Sequence, residues 1–281
     1  MSMHAEEHSD ATAPARLLEL VVGIKGAGEM ASAVAWRLHM ARIRAILMLE
    51  TAMPLAVRRE VCFCEALHDG SCTVEGVAAV KAERAEEIPR IWQRGHIAVI
   101  ADPRWRTLSR IRSDVVVDAI LAKRNLGTRR TDAPLVIGLG PGFVAGRDVH
   151  VVVETQRGHD LGRIITSGSA APNTGVPGVI GGHTQTRVLR APAAGEFRSE
   201  RRIGELVRAG EVVGRVGETE VLGGVDGVLR GLIRPGTRVT AGLKLGDIDP
   251  RGEVGYCFTI SEKARAIAGS VLEAVLRVYN R

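Results

Sequence analysis

Residues 195–214 recur at 227–246 without a gap. Gly195, Arg198, Arg202, Gly204, Val207, Ala209, Gly210 and Gly214 meet Gly227, Arg230, Arg234, Gly236, Val239, Ala241, Gly242 and Gly246, eight identities in 20 positions at an offset of 32. Self-similarity at a fixed spacing marks one supersecondary unit used twice. Each copy reads as a short strand, a second strand, then V-x-A-G-x-x-x-G leading into a last strand, so the C-terminal part is expected to be a small duplicated β structure. The hairpin between the copies, Gly217–Gly224, contains no lysine.

The first half has a different texture. Leu17–Ile24 is an apolar run interrupted only by Glu19 and ending near Gly26, as a buried parallel strand reads. From Glu29 to Arg42, Met30, Ala31, Val34, Ala35 and Leu38 recur at helical spacing, and Arg44–Glu50 is a second strand. Further strands are expected at 96–100, 114–120, 134–139, 149–154 and 162–166. The region 54–94 is less regular, with a hairpin near Gly70. Strand–helix–strand at the start argues for a Rossmann-like, mostly parallel α/β sheet. The later strands follow too closely for helical crossovers, so an antiparallel extension is expected there. Ser167–His183, rich in Gly, Pro and Ser, reads as a boundary. A closing helix over Glu262–Tyr279, with Thr259 and Glu262 at capping-box spacing, is expected to pack its apolar stripe on the first half. The expected divisions are a loose tail (1–16), a Rossmann-like domain with a β extension (17–183), the duplicated domain (184–250) and the helical terminus (251–281).

Lys25-Gly26-Ala27-Gly28-Glu29-Met30-Ala31 is G-x-G-x-x-A set between strand and helix. The first Gly permits the tight turn, the second lets a pyrophosphate approach the backbone, and the small third residue lets helix and strand pack closely. Phosphates would sit on the helix N-terminus, where free N–H groups favour anions. Glu50 ends the second strand, 22 residues after Gly28, where a dinucleotide site places a carboxylate for ribose hydroxyls. A carboxylate there favours NAD over NADP. Glu29 sits on the phosphate side and would repel, an effect Lys25 is expected to offset. Such turns also occur in sheets that bind nothing. A second Gly-rich loop holds Gly140 and Gly142, and could line the same cleft or simply turn.

Lys123 and Asn125 follow the strand at 114–120, at the end where ligands gather in parallel sheets. Lys123 and His159, the latter beside Asp160, are the candidate proton-transfer groups; a satisfied turn histidine is the plainer reading of His159. Cys62, Cys64, His68 and Cys72 have spacings a metal can use but no paired knuckles, so no metal site is expected. Four cysteines without a leader fit a reducing cytoplasm. Met1–Pro14 is polar, the run that follows it at 17–24 is short and carries Glu19, and no stretch of about 18 uncharged apolar residues occurs, so neither a signal peptide nor a membrane span is expected. The net charge of +6 invites nucleic acid, but aromatics are 3% and the arginines are scattered. A small anionic ligand is the expected partner rather than a nucleic acid.

Two copies of the repeated unit about a pseudo-twofold resemble the barrel-sandwich hybrid of biotinyl and lipoyl domains, whose hairpin carries a modified lysine. The missing lysine excludes biotin and lipoate, leaving a docking or lid role. The blocks IKGAGEMASAVAWRLH, DVVVDAILAKRNLGT, IGLGPGFVAGRDVHVVVETQRGHDLGRII, PNTGVPG, GLKLGDIDPRG and YCFTISEKARAIAG together are similar to the YqeB family, accessory proteins of selenium-dependent molybdenum hydroxylase systems. The resemblance runs from Val21 to Leu276. It implies a part in maturing a molybdenum hydroxylase, with that enzyme or its maturation proteins as partners. The dinucleotide would then be NAD or the dinucleotide form of the molybdenum cofactor. A free-standing NAD-dependent oxidoreductase and a non-enzymatic docking scaffold are the other readings, so the sequence leaves open whether the chain is an enzyme. A homodimer is the default oligomer.

Overall fold

The computed structural model describes residues 16–176 and 178–280; the Met1–Pro14 tail lies outside them. The chain begins with β1 (Val21–Lys25), α1 (Glu29–Met40) and β2 (Ala45–Glu50). Then come α2 (Ala66–Asp69), β3 (Ser71–Val74), β4 (Val77–Ala82), α3 (Ile88–Gln93) and β5 (Ile97–Ala101). α4 (Thr107–Arg110), β6 (Val115–Asp118), β7 (Leu135–Leu139), β8 (Val151–Val153) and β9 (Ile164–Ile165) complete one sheet, ordered β3-β4-β5-β2-β1-β6-β7-β8-β9. Its seven inner strands are parallel, and β3 and β9 pair antiparallel at the two edges.

The expected Rossmann-like, mostly parallel fold is corrected to this mixed sheet of nine strands. β7 and β8 extend the parallel run although no α-helix lies in either connection leading to them. A parallel crossover needs about a dozen residues, not necessarily a helix, and the segments 119–134 and 140–150 supply that length. Only β9 turns back. The hairpin near Gly70 is β3–β4, turning at Glu75 and Gly76, both with positive φ.

Burial explains the apolar runs. Ile46 and Met48 face the core shared with α1, while Leu47 and Leu49 face the opposite core with Ile88 and Ile91 of α3. Strands buried on both faces cannot alternate with polar residues. The last helix, α5 (Glu262–Tyr279), lays Ala264, Ile267, Ala268 and Val271 on the α1 residues Ala31, Val34 and Leu38. Each large side chain so buried contributes about 1.5–3 kcal/mol. The expected capping box does not form. Ser261 is the N-cap and accepts from the Ala264 N–H, while the Thr259 hydroxyl donates to the Gly255 carbonyl.

The repeat builds two four-stranded antiparallel sheets. Its strands are β10 (Val188–Arg190), β11 (Gly195–Arg198), β12 (Leu206–Val207), β13 (Val212–Val216), β14 (Thr219–Leu222), β15 (Gly227–Leu232), β16 (Arg238–Val239) and β17 (Lys244–Asp249). The orders are β10-β17-β15-β12 and β14-β13-β11-β16. The copies exchange their middle strands: Leu206 and Val207 oppose Val228 and Gly227, and at the equivalent places Arg238 and Val239 oppose Glu196 and Gly195. The biotinyl/lipoyl-like assignment does not hold. Each sheet takes its fourth strand, β10 or β14, from outside the repeated segment, which identities within the repeat cannot reveal.

The two halves are joined at residues 57–59. The Leu232 N–H donates to the Val57 carbonyl at 2.8 Å, and Arg59 Nε donates to the Leu232 carbonyl at 2.7 Å. Gly231 permits this approach, because a Cβ there would stand 2.7 Å from Val57 Cγ1.

Candidate functional site

Strand order reverses at β1, between β2 and β6, and ligands in open α/β sheets gather beyond the carboxyl ends of strands at such a point. The Gly-rich turn sits there. Gly26 has φ +97°, and a Cβ on it would come within 3.3 Å of the Ala119 backbone, so this glycine is required by the packing of two loops. Gly28 differs. It is the N-cap of α1, with φ −74° and ψ −171°, it makes no side-chain cap, and a Cβ on it would meet nothing within 4 Å. The first turn of α1 therefore presents N–H groups without helical acceptors to open space.

That space is a cleft of about 560 Å³ lined by Gly26, Gly28, Glu29, Met30 and Glu50 on the first half. Arg58, Arg157, Arg187, Arg230, Lys244 and Lys263 also reach it, against three acidic residues, Glu29, Glu50 and Asp247. Three of these arginines are buried: Arg58 and Arg187 are 6% exposed and Arg230 is 5% exposed. Arg58 binds Glu29 at 2.8 Å and donates to the Tyr256 and Thr259 carbonyls at 2.6 and 2.9 Å. Arg187 pairs with Asp247 at 3.2 Å, and Arg230 with Asp249 at 3.4 Å. Asp249 is shared with Arg251, and Asp247 with Lys244. The carboxylates are thus divided among more cations than they can neutralise. Burial, reinforced by the Arg58 charge, pulls the Arg230 guanidinium below its usual range in spite of Asp247, Glu29 and Asp249. An anion entering the cleft would relieve that cost.

Glu50 has a role that spacing did not reveal. Its carboxylate accepts from the Ala27 N–H at 2.9 Å and the Thr51 N–H at 2.7 Å, so it props the Gly-rich turn. A carboxylate has roughly four acceptor sites, and Glu50, which lines the cleft, keeps capacity for further donors. Glu29 is neutralised by Arg58 and accepts a hydrogen bond from the Ser261 hydroxyl at 2.8 Å, which brings the N-termini of α1 and α5 together.

Lys25 does not offset Glu29. Its side chain turns away from the cleft, 1% exposed, with Nζ 2.8 Å from Thr128 Oγ1, 2.9 Å from Asp132 Oδ2 and 4.3 Å from the Trp105 ring centroid. Alternation along β1 sends it to the other face. Asp118 joins this network through Thr128 at 2.6 Å, and burial raises its carboxyl against that bond. Asn125 folds back on its own loop, bonding the Thr128 carbonyl and the N–H groups of Gly127 and Thr128. Gly140 and Gly142 are close-packing glycines: a Cβ would come within 2.5 Å of Thr155 Oγ1 or 2.7 Å of the Arg124 backbone. Lys123 is exposed with φ +63°, and its ammonium lies 3.2 Å from the Asn173 amide oxygen when that amide is turned to accept. His159 is exposed, and Asp160 pairs with Arg163 instead. Neither Lys123 nor His159 lines the cleft.

Cys62 and Cys64 are buried. Hydrogen bonding with Cys64 and burial hold the Cys62 thiol well above its usual range, and burial pushes Cys72 up to about 12. Such thiols are poor nucleophiles and poor metal ligands. Among the described residues no three His, Cys, Asp or Glu side chains gather as a metal set, and no helix is long and apolar enough to cross a membrane.

Arg58, Arg187, Arg230 and Lys263 were not singled out by the sequence. The repeat gives no signal for them: Arg198 and Arg230 are equivalent in it, yet Arg198 is exposed beside Glu196 while Arg230 is buried at the cleft.

Together these features define an α/β protein with a cationic cleft where its parallel strands end. Over 263 residues, 94% of the chain, it is 50% identical to the "Uncharacterized protein YqeB" of Escherichia coli K12, and spans 48% of that protein. The chain is a homologue of YqeB over about half of that relative's length. No protein-family model matches it. Among solved structures, a succinylglutamate desuccinylase/aspartoacylase from Rhodobacter sphaeroides is 28% identical over 24% of this chain and 22% of its own, with a TM-score of 0.22. TcdA (CsdL) is 12% identical over 94% of this chain and 90% of its own, with a TM-score of 0.33. Likenesses this low define no shared fold.

Proposed function

We propose that this cleft binds a pyrophosphate-linked dinucleotide, and that the protein acts with it as an accessory factor in maturing a molybdenum hydroxylase. The observation that carries the binding part is the uncapped N-terminus of α1 at Gly28, open to a cleft where two of the three carboxylates paired with buried arginines are shared with further cations. A pyrophosphate supplies both the acceptors that the helix N–H groups lack and the charge that the arginines need. Glu50 would take ribose hydroxyls, which favours a free 2′-OH over a 2′-phosphate. The molybdenum hydroxylase context rests on the family resemblance of the sequence blocks. NAD and the dinucleotide form of the molybdenum cofactor share the linkage the cleft suits. Either would be oriented by the α1 N-terminus and by Arg58, Arg187 and Arg230.

A free-standing oxidoreductase reading is weaker, because Lys123 and His159 stand outside the cleft. The test is calorimetric titration of the wild type with NAD, NADH, NADP, CTP and isolated molybdenum cofactor. Binding of a dinucleotide, with NADP weaker than NAD, is expected. No heat with any of them would overturn the reading and leave a docking scaffold.

A further inference from the structure

A second cavity, of about 570 Å³, adjoins the cleft and shares Arg157, Gly178 and Lys263 with it. Its wall includes Thr155, Gln156, Asn173 and Thr174, and among the described residues no Asp or Glu lines it. Cations and neutral hydrogen-bonding groups without a carboxylate make a cavity that accepts anions and disfavours cations.

The two cations differ. Arg157 is already neutralised by Glu262. Lys263 has no hydrogen-bond or ion-pair partner among the described residues, although it is half-buried at the junction of the two spaces. Two acids act on it from nearby elements: Glu29 is committed to Arg58 and Ser261, and Glu154 to the N–H groups of Thr155, Gln156 and Ala171. Burial and the Arg157 charge pull the Lys263 ammonium below its usual range, as for a cation lacking its counter-ion. Lys263 is held in place by its position in the first turn of α5, just after the Ser261 cap that bonds Glu29.

Resting on the dinucleotide reading of the first cleft, we propose that Lys263 binds a second anionic group, carried by the distal half of the ligand and housed in this adjoining cavity. The ligand class is then a dinucleotide with an acid, such as a carboxylate, phosphate or thiolate, beyond its pyrophosphate. The oxidised nicotinamide ring of NAD, which is cationic, is the wrong sign for this place.

The test compares NAD with its deamido analogue, nicotinic acid adenine dinucleotide, in which a carboxylate replaces the carboxamide and little else changes. Calorimetric titration of the wild type should show the acid binding about tenfold more tightly, the worth of one charge-assisted contact. Lys263→Met should erase the preference, read as the ratio of the two affinities, and Lys263→Arg should keep it. Thermal unfolding without ligand checks that both variants fold as the wild type does. Equal wild-type affinity for the two ligands, or a preference that survives Lys263→Met, overturns the inference and leaves the dinucleotide reading standing. Failure of both ligands to bind overturns both.

Discussion

Gly28→Asp separates folding from binding. The position has ordinary negative φ, and a Cβ there meets nothing within 4 Å, so the side chain enters without strain. As an N-cap, Asp is better than Gly by a few tenths of a kcal/mol, and loss of a glycine stiffens the unfolded chain, so stability should hold or rise by up to about 1 kcal/mol. Binding should collapse. The new carboxylate caps the N–H groups a phosphate would use and sets a negative charge about 4 Å from it, a repulsion of about 4 kcal/mol at an effective dielectric of about 20. Even with half of that screened by Arg58 and its neighbours, affinity should fall at least about thirtyfold. Urea unfolding of the free protein and calorimetric titration with the dinucleotide read the two effects. A variant about 2 kcal/mol less stable, or one that binds as the wild type does, would refute the reasoning.

Lys25→Met should cost about 3 kcal/mol in urea unfolding, because it strands Asp132 and Thr128 beside a buried site. It should leave dinucleotide affinity unchanged, since Lys25 faces away; a large loss of affinity at full stability would contradict its placement. Asp249→Asn should cost about 3 kcal/mol at pH 7 by leaving Arg230 without its partner. Hydrogen bonds from Arg251 outweigh burial and hold the Asp249 carboxyl below its ordinary 3.8. Its contribution is therefore present above that value and fades as pH falls through the lower folded one, so the deficit of the variant should shrink by pH 3. A deficit constant with pH would be the opposing result. The native protein should show no fast thiol with Ellman's reagent at pH 8, since Cys72 at about 12 holds on the order of one part in ten thousand as thiolate. All four cysteines should react in guanidinium; one reacting within seconds in the native state would contradict the burial described.

The local signals were legible in the sequence, and the assembled site was not. The Gly-rich turn could be read because its chemistry is confined to Gly26, Gly28 and the start of α1, and strand parity limits where Glu50 can point. The same parity argument, applied to Lys25, would have turned it away from the cleft. The cations of the cleft come from residues 58, 157, 187, 230, 244 and 263, brought together only when the strap at 57–59 docks on β15. In an arginine-rich chain nothing distinguishes these from exposed ones. The repeat revealed duplication, but the added strands β10 and β14 lie outside the matching segment. Parallel crossovers without helices misled the reading of β7 and β8, since strand direction there is set by loop length and packing rather than by a helical pattern.

The most direct test of the cleft is a dinucleotide titration followed by amide and arginine Nε resonances of isotopically labelled protein. The account predicts that the largest shifts fall on the backbone N–H groups of Gly28, Glu29 and Met30 and on Arg58, Arg187 and Arg230. Shifts that spare these groups, or cluster on another face, would contradict it.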